Sequence, residues 1–142
     1  QRLNTLSNLE VCEAQGKETL VPGKVYIAPG DMHLTIQKMG SKLYANVFDG
    51  ELVNHHKPSV DVMFQSIAKT CANSSLAFLL TGMGRDGAKG LLEIRNHGGL
   101  TIAQDQASSV VYGMPGEAVR IDAAIREIPL SHIGALISKF VY

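Results

Sequence analysis

The chain has 142 residues, 45% of them apolar, with 13 Lys plus Arg against 13 Asp plus Glu. That length and apolar content suit one domain with its own core, and the balanced charge offers neither a basic stripe for nucleic acid nor an acidic tail. No apolar run reaches the ~20 residues of a membrane helix. The start, Gln1-Arg2-Leu3-Asn4, has no signal-peptide core, and Cys12 and Cys71 alone make no disulfide framework. A cytoplasmic protein without membrane insertion is the simplest expectation.

Residues 9–53 read as short strands and turns in an antiparallel arrangement. Val25 to Ala28 precedes the turn signal Pro29-Gly30-Asp31. Leu34–Met39 and Leu43–Phe48, split by Gly40-Ser41, predict a hairpin, and Asp49-Gly50 closes it. From residue 54 the period changes. Val60, Met63, Phe64, Ile67, Ala68 and Cys71 recur on one helical face. Pro58 stops the preceding segment and Ser59 stands as N-cap; Cys71 reads as a buried thiol.

A strand at 76–80 leads into the glycine loop Thr81-Gly82-Met83-Gly84-Arg85-Asp86-Gly87, and a helix runs from about Gly87 to Asn96, stopped by Gly98-Gly99. A strand at 100–104, a short helix near Pro115–Arg120 and a strand around Ile125–Ile128 follow. Ser131 reads as the N-cap of a last helix whose buried stripe is Ile133, Leu136, Ile137 and Phe140. Alternating strands and helices predict an α/β fold: a mostly parallel, doubly wound (Rossmann-like) sheet, with the antiparallel hairpin in the first half. No internal repeat appears.

In open α/β sheets, chemistry collects at the carboxyl ends of strands, which places Asp86 where function is housed. Two readings compete there. Gly82, Gly84 and Gly87 satisfy G-x-G-x-x-G, and Asp105 follows 18 residues after Gly87, so a dinucleotide-binding module is one reading. Against it, a carboxylate at Asp86 beside the helix N-terminus would repel pyrophosphate and compete for its N–H donors. The P-loop reading fails because Ala88 follows Gly87 where Lys is needed. Asp86 as a plain helix N-cap is the ordinary alternative, worth ~1 kcal/mol.

Four ordered blocks carry a resemblance along almost the whole chain. They are Val21-Pro22-Gly23 through Tyr26-Ile27-Ala28-Pro29-Gly30-Asp31, Val53-Asn54-His55-His56-Lys57-Pro58-Ser59 through Phe64, Leu80 through Ala88, and Ala103-Gln104-Asp105 through Met114-Pro115. Together they resemble the catalytic domain of chemotaxis protein-glutamate methylesterases (CheB-type). The resemblance implies hydrolysis of glutamyl methyl esters, and deamidation of glutamines, on chemoreceptor cytoplasmic domains by a Ser-His-Asp triad. By position it implies Asp86 as the triad acid and the backbone N–H of Met83 as an oxyanion donor. Acyl transfer of this kind requires no cofactor or metal.

In that family the nucleophilic Ser and the triad His lie on the first strand-helix-strand unit, and this chain starts at residues that resemble the helix just after it. The expectation is therefore a single catalytic domain over 1–142, lacking that unit and any receiver domain, and inactive until an amino-terminal segment completes the triad. Substitutes present here are weak: Ser108 or Ser109 with His56 and Asp86 lacks a G-x-S-x-G elbow. Adjacent His55 and His56 suit one shared metal poorly; adding His33 and Asp31 gives a candidate set, against which turn histidines are ordinarily solvated or hydrogen-bonded. His97 and His132 read as surface residues near helix ends. Lys57 and Arg85 could rim the site for an acidic receptor segment.

Overall fold

The computed structural model describes residues 1–141. A short helix α1 (Arg2–Leu6) precedes β1 (Glu10–Glu13), β2 (Lys17–Thr19), β3 (Lys24–Ile27), β4 (His33–Met39) and β5 (Lys42–Phe48). β4 and β5 form the expected hairpin, with β2 antiparallel on the far side of β5. The first half is not antiparallel throughout, however. β1 and β3 pair in parallel, because β2 between them leaves to join the other sheet. A strand that departs in this way acts as the crossover a parallel pair requires.

Then come α2 (Val60–Thr70), β6 (Leu76–Leu79), α3 (Ala88–Asn96), β7 (Leu100–Gln104), α4 (Met114–Arg120), β8 (Arg126–Ile128) and α5 (Leu130–Val141). β6, β7 and β8 form a parallel sheet in chain order. Strand alternation sorts its side chains into two layers. Ala77 and Leu79 of β6 join Phe64 and Ala68 of α2, Leu91 and Ile94 of α3 and Ala118 of α4 in the main core. On the opposite face, Ile102 and Ile128 pack with Leu76, Phe78, and Ile133 and Leu136 of α5. Helices thus cover both faces, as the doubly wound expectation requires.

The α2 helix joins the two halves. Met63 packs against both the main core and the small Ala14–Leu34–Ala45 cluster, and Ser66 Oγ accepts the Ile36 N–H of β4 at 2.8 Å. Two details of α5 differ from expectation. The helix begins at Leu130, so Ser131 lies inside its first turn; the Leu130 N–H is taken by Ser108 Oγ at 3.0 Å, from a different loop. Of the apolar stripe, Ile133 is buried but Ile137 and Phe140 are exposed. Cys71 is half-buried as the residue that ends α2, and both cysteines are free.

Among the described residues β6 has a strand partner on one side only. Val25 and Ile27 on one face of β3, and Leu3, Leu6 and Leu9 before β1, are all more than a third exposed. No helix among the described residues is long and apolar enough to cross a membrane.

Candidate active site

The glycine loop after β6 is bent by Gly84 (φ 89°) and Gly87 (φ 91°), conformations that favour glycine. Gly87 is also wedged: a Cβ there would come within 2.8 Å of side-chain carbons of both Leu79 and Val60. The loop is pinned from the side by the segment after β7. Gly82 N–H donates to Val111 O at 3.0 Å, and Gly82 O accepts the N–H groups of Gly113 and Met114. Thr81 N–H is held by Gln104 Oε1 at 2.8 Å. Tyr112, in the pinning segment, donates its hydroxyl to Glu127; burial, then this contact, pushes its phenol up to about 12.

Asp86 is buried, yet it does not cap the helix that follows it. The residue before α3 is Gly87, which has no capping side chain. The Asp86 carboxylate reaches instead to the N-terminus of α2. Oδ2 accepts the Val60 N–H at 2.6 Å. Oδ1 accepts Ser59 Oγ at 2.7 Å, Asn54 Nδ2 at 2.9 Å and the Asp61 N–H at 3.4 Å. Burial alone would raise its pKa, but hydrogen bonds from Asn54, Ser59, Val60 and Asp61 outweigh it and hold the carboxyl below its ordinary value. The positive end of α2 acts in the same direction. A carboxylate has about four lone-pair positions. Oδ1 is saturated, while Oδ2 carries one partner and keeps room for another donor.

Ser59 is the α2 N-cap, as its position predicts; its hydroxyl also accepts the Val62 N–H. Behind it lies a buried histidine. Ser59 N–H donates to His33 Nδ1 at 3.2 Å, so Nε2 carries the proton and donates to Glu51 O at 2.8 Å. Both ring nitrogens are committed, which removes His33 from the metal set weighed with Asp31, His55 and His56. His55 and His56 are exposed, and they line a cleft of about 640 Å³ with Leu52, Asn54, Met83, Gly84 and Arg85.

Met83 stands at the mouth of this cleft, 77% exposed. Its N–H has no hydrogen-bond partner among the described residues, nor do those of Gly84 through Gly87. The loop therefore presents open donors, while the acid is turned away from them towards α2. The profile of the CheB methylesterase family matches residues 1–137.

The chain belongs to the CheB methylesterase family. It is 47% identical over 133 residues to a protein-glutamate methylesterase/protein-glutamine glutaminase of Hahella chejuensis, covering 94% of this chain and 36% of that protein. A counterpart in Pseudomonas aeruginosa is 48% identical over 135 residues, covering 95% and 39%. The chain thus spans little more than a third of these relatives. It also superimposes on the crystal structure of the Thermotoga maritima CheB methylesterase catalytic domain, with TM-score 0.91 and 35% identity, covering 99% of this chain and 72% of that one.

A dinucleotide site finds no support in this CheB fold. Asp105, the acid that would hold the ribose, is occupied by its own loop: Oδ1 accepts Ser108 N–H at 3.0 Å and Ser108 Oγ at 2.5 Å. Asp86 does not lie beside the N-terminus of α3 as expected: its carboxylate lies at α2, so it would not repel a phosphate there. The makeshift triad is not assembled either. Ser108 Oγ serves Asp105, Gln104 and Leu130, and Ser109 Oγ donates to Asp105 O at 2.7 Å. His97 Nδ1 meets Glu93 O on the α3 surface, and His132 is exposed at the start of α5. Sequence reasoning missed Asn54 and Asp61, which touch or flank Asp86; Asn54 is recognisable only as a residue suited to a left-handed turn.

Proposed function

We propose that this chain is the larger part of a catalytic domain that hydrolyses glutamyl methyl esters, and deamidates glutamines, on chemoreceptor cytoplasmic domains. The observation that carries the reading is Asp86: a buried carboxylate kept ionised by four hydrogen bonds, with one acceptor position open on Oδ2. Such a group orients an imidazole and stabilises the imidazolium formed during nucleophilic attack. The Ser and His come from a strand-helix-strand unit preceding residue 1, which also pairs the open edge of β6 and covers the exposed leucines near α1. No receiver domain lies within 1–142.

In this scheme the serine hydroxyl, deprotonated by the histidine, attacks the glutamyl carbonyl. The open Met83 N–H receives the oxyanion, a contact of a kind worth roughly 3 kcal/mol of barrier. Methanol, or ammonia from a glutamine, leaves with the proton held by the histidine, and water then releases the carboxylate. The chemistry requires no cofactor or metal.

The partner would be an acidic receptor segment in the cytoplasm. Arg85 fits this role, since it is exposed and lines a second cleft of about 150 Å³ with Lys89, Arg120 and Glu117. Lys57 does not share it: its ammonium is tied to Asp49 at 2.8 Å and Gly50 O at 3.1 Å.

Methanol release from methylated receptor cytoplasmic fragments tests the proposal. The complete domain is expected to release it and the 1–142 chain is not. Receptor binding without turnover by the complete domain would make it an interaction module. Saturable dinucleotide binding weakened by Asp105→Ala would make it a nucleotide-binding module.

A further inference from the structure

We propose that Asn54 is a positioning residue for the esterase reaction: its carboxamide bridges two buried carboxylates and fixes Asp86 with Oδ2 turned to the incoming imidazole. The inference rests on Asp86 being the triad acid.

The geometry starts with a tight turn. Val53 and His56 exchange backbone hydrogen bonds at 2.9 and 3.0 Å, and the two residues between them, Asn54 and His55, have φ of 52° and 65°. Two successive left-handed residues define a turn that suits Asn among non-glycine residues. The turn leaves Asn54 exposed at the edge of the cleft, with its amide nitrogen reaching the acids beneath it. Its Nδ2 donates to Asp61 Oδ2 at 2.7 Å and to Asp86 Oδ1 at 2.9 Å. Asp61 is itself buried, and its other oxygen takes the Gly90 N–H of α3 at 2.7 Å.

Two carboxylates that share one nitrogen are held close together and need a common donor between them. A primary amide answers this with two donors and no charge. A lysine or arginine in its place would neutralise the pair more strongly, but its cation would also compete with the imidazolium for Asp86. Asn54 completes the saturation of Oδ1, together with Ser59 and Asp61, and this leaves Oδ2 as the face that accepts. Asn54 does not touch substrate in this scheme; it acts through Asp86.

Asn54→Gly in the complete esterase domain tests the role, because glycine keeps the left-handed turn while removing the amide. The expected result is a kcat lower by roughly tenfold or more, about 1.4 kcal/mol, with KM within about twofold of the parent. In an Asp86→Asn background the same replacement is expected to change kcat by less than about twofold, since a residue acting through Asp86 has nothing left to position. A parental kcat for Asn54→Gly, or effects that multiply in the double variant, would overturn the inference. If Asn54→Gly does not fold, the near-isosteric Asn54→Asp supplies the reading. It sets a third carboxylate against the pair and is expected to lower kcat at pH 7 at least as far; a parental rate overturns the proposal. Parental activity of Asp86→Asn alone would instead remove the triad assignment beneath it.

Discussion

Val60 N–H donates to Asp86 Oδ2 at 2.6 Å, so the acid of the loop between β6 and α3 caps the start of α2, a helix 26 residues earlier in the chain. This contact joins the loop that carries Asp86 and Met83 to the helix that holds the two halves of the domain together. Stability and site geometry are therefore coupled at one carboxylate.

Asp86→Ala removes the acceptor of the Val60 N–H and of the buried Ser59 hydroxyl, while the exposed Asn54 amide keeps Asp61. Each unsatisfied buried group costs about 1–3 kcal/mol, so the variant is expected to lose about 3 kcal/mol in denaturant unfolding. Asp86→Asn keeps an acceptor on one side only and sets an NH2 against donors on the other, so a smaller loss of about 1–2 kcal/mol is expected. Were Asp86 an ordinary cap of α3, Asn would replace it at almost no cost. Equal midpoints for parent and Asp86→Asn would therefore contradict the observed geometry.

Gly87→Ala tests the wedge beside it. The substitution forces a β-carbon into a φ of 91° and within 2.8 Å of Leu79 and Val60. Strain at positive φ and overpacking together cost about 2–4 kcal/mol. Gly84→Ala has the same sign of φ but open space around its Cβ, and is expected to cost only the backbone part, about 1 kcal/mol. Similar losses at the two positions would show that packing against α2 contributes nothing.

The lowered pKa of Asp86 has a signed consequence for acid stability. Its folded value lies below the unfolded one, near 3.9, so the unfolded chain takes up the proton first as pH falls. The stabilisation is complete above about pH 4–5 and is lost as pH drops through the lowered folded value. Denaturant midpoints between pH 6 and pH 2 are expected to fall more steeply for the parent than for Asp86→Ala. Parallel curves would mean that the carboxyl is not held ionised by folding.

Most elements from residue 54 onward were legible because burial there follows clean periods: Val60 to Cys71 at helical spacing, Leu76 to Leu79 as a strand, and Gly98-Gly99 as a stop. The caps were not. Asp86 and Ser108 each serve a helix belonging to another part of the chain, and local sequence signals describe only neighbours along it. The parallel pairing of β1 with β3 was hidden for the same kind of reason, since the strand between them leaves for another sheet. The glycine loop after a strand singled out Asp86, and the roles of Asp86 and Met83 came only from resemblance; the Asn54–Asp61 pair became visible only through the fold.

The exposed leucines and the open edge of β6 lead to a prediction about the 1–142 chain in isolation. Unpaired strand edges and contiguous apolar surface drive association. Light scattering after size exclusion is expected to show self-association that grows with concentration and is relieved in the complete domain. A monodisperse monomer with a cooperative melt would count against a missing strand-helix-strand unit.

The central claim, that Asp86 is the acid of an esterase triad, is tested most directly by methanol release from methylated receptor fragments with the complete domain carrying Asp86→Asn. The expected result is a folded variant whose kcat falls by several orders of magnitude, about 10⁴ in comparable triads, because an amide cannot stabilise the imidazolium. A folded Asp86→Asn variant that turns over at close to the parental rate would contradict it and leave Asp86 a structural cap of α2.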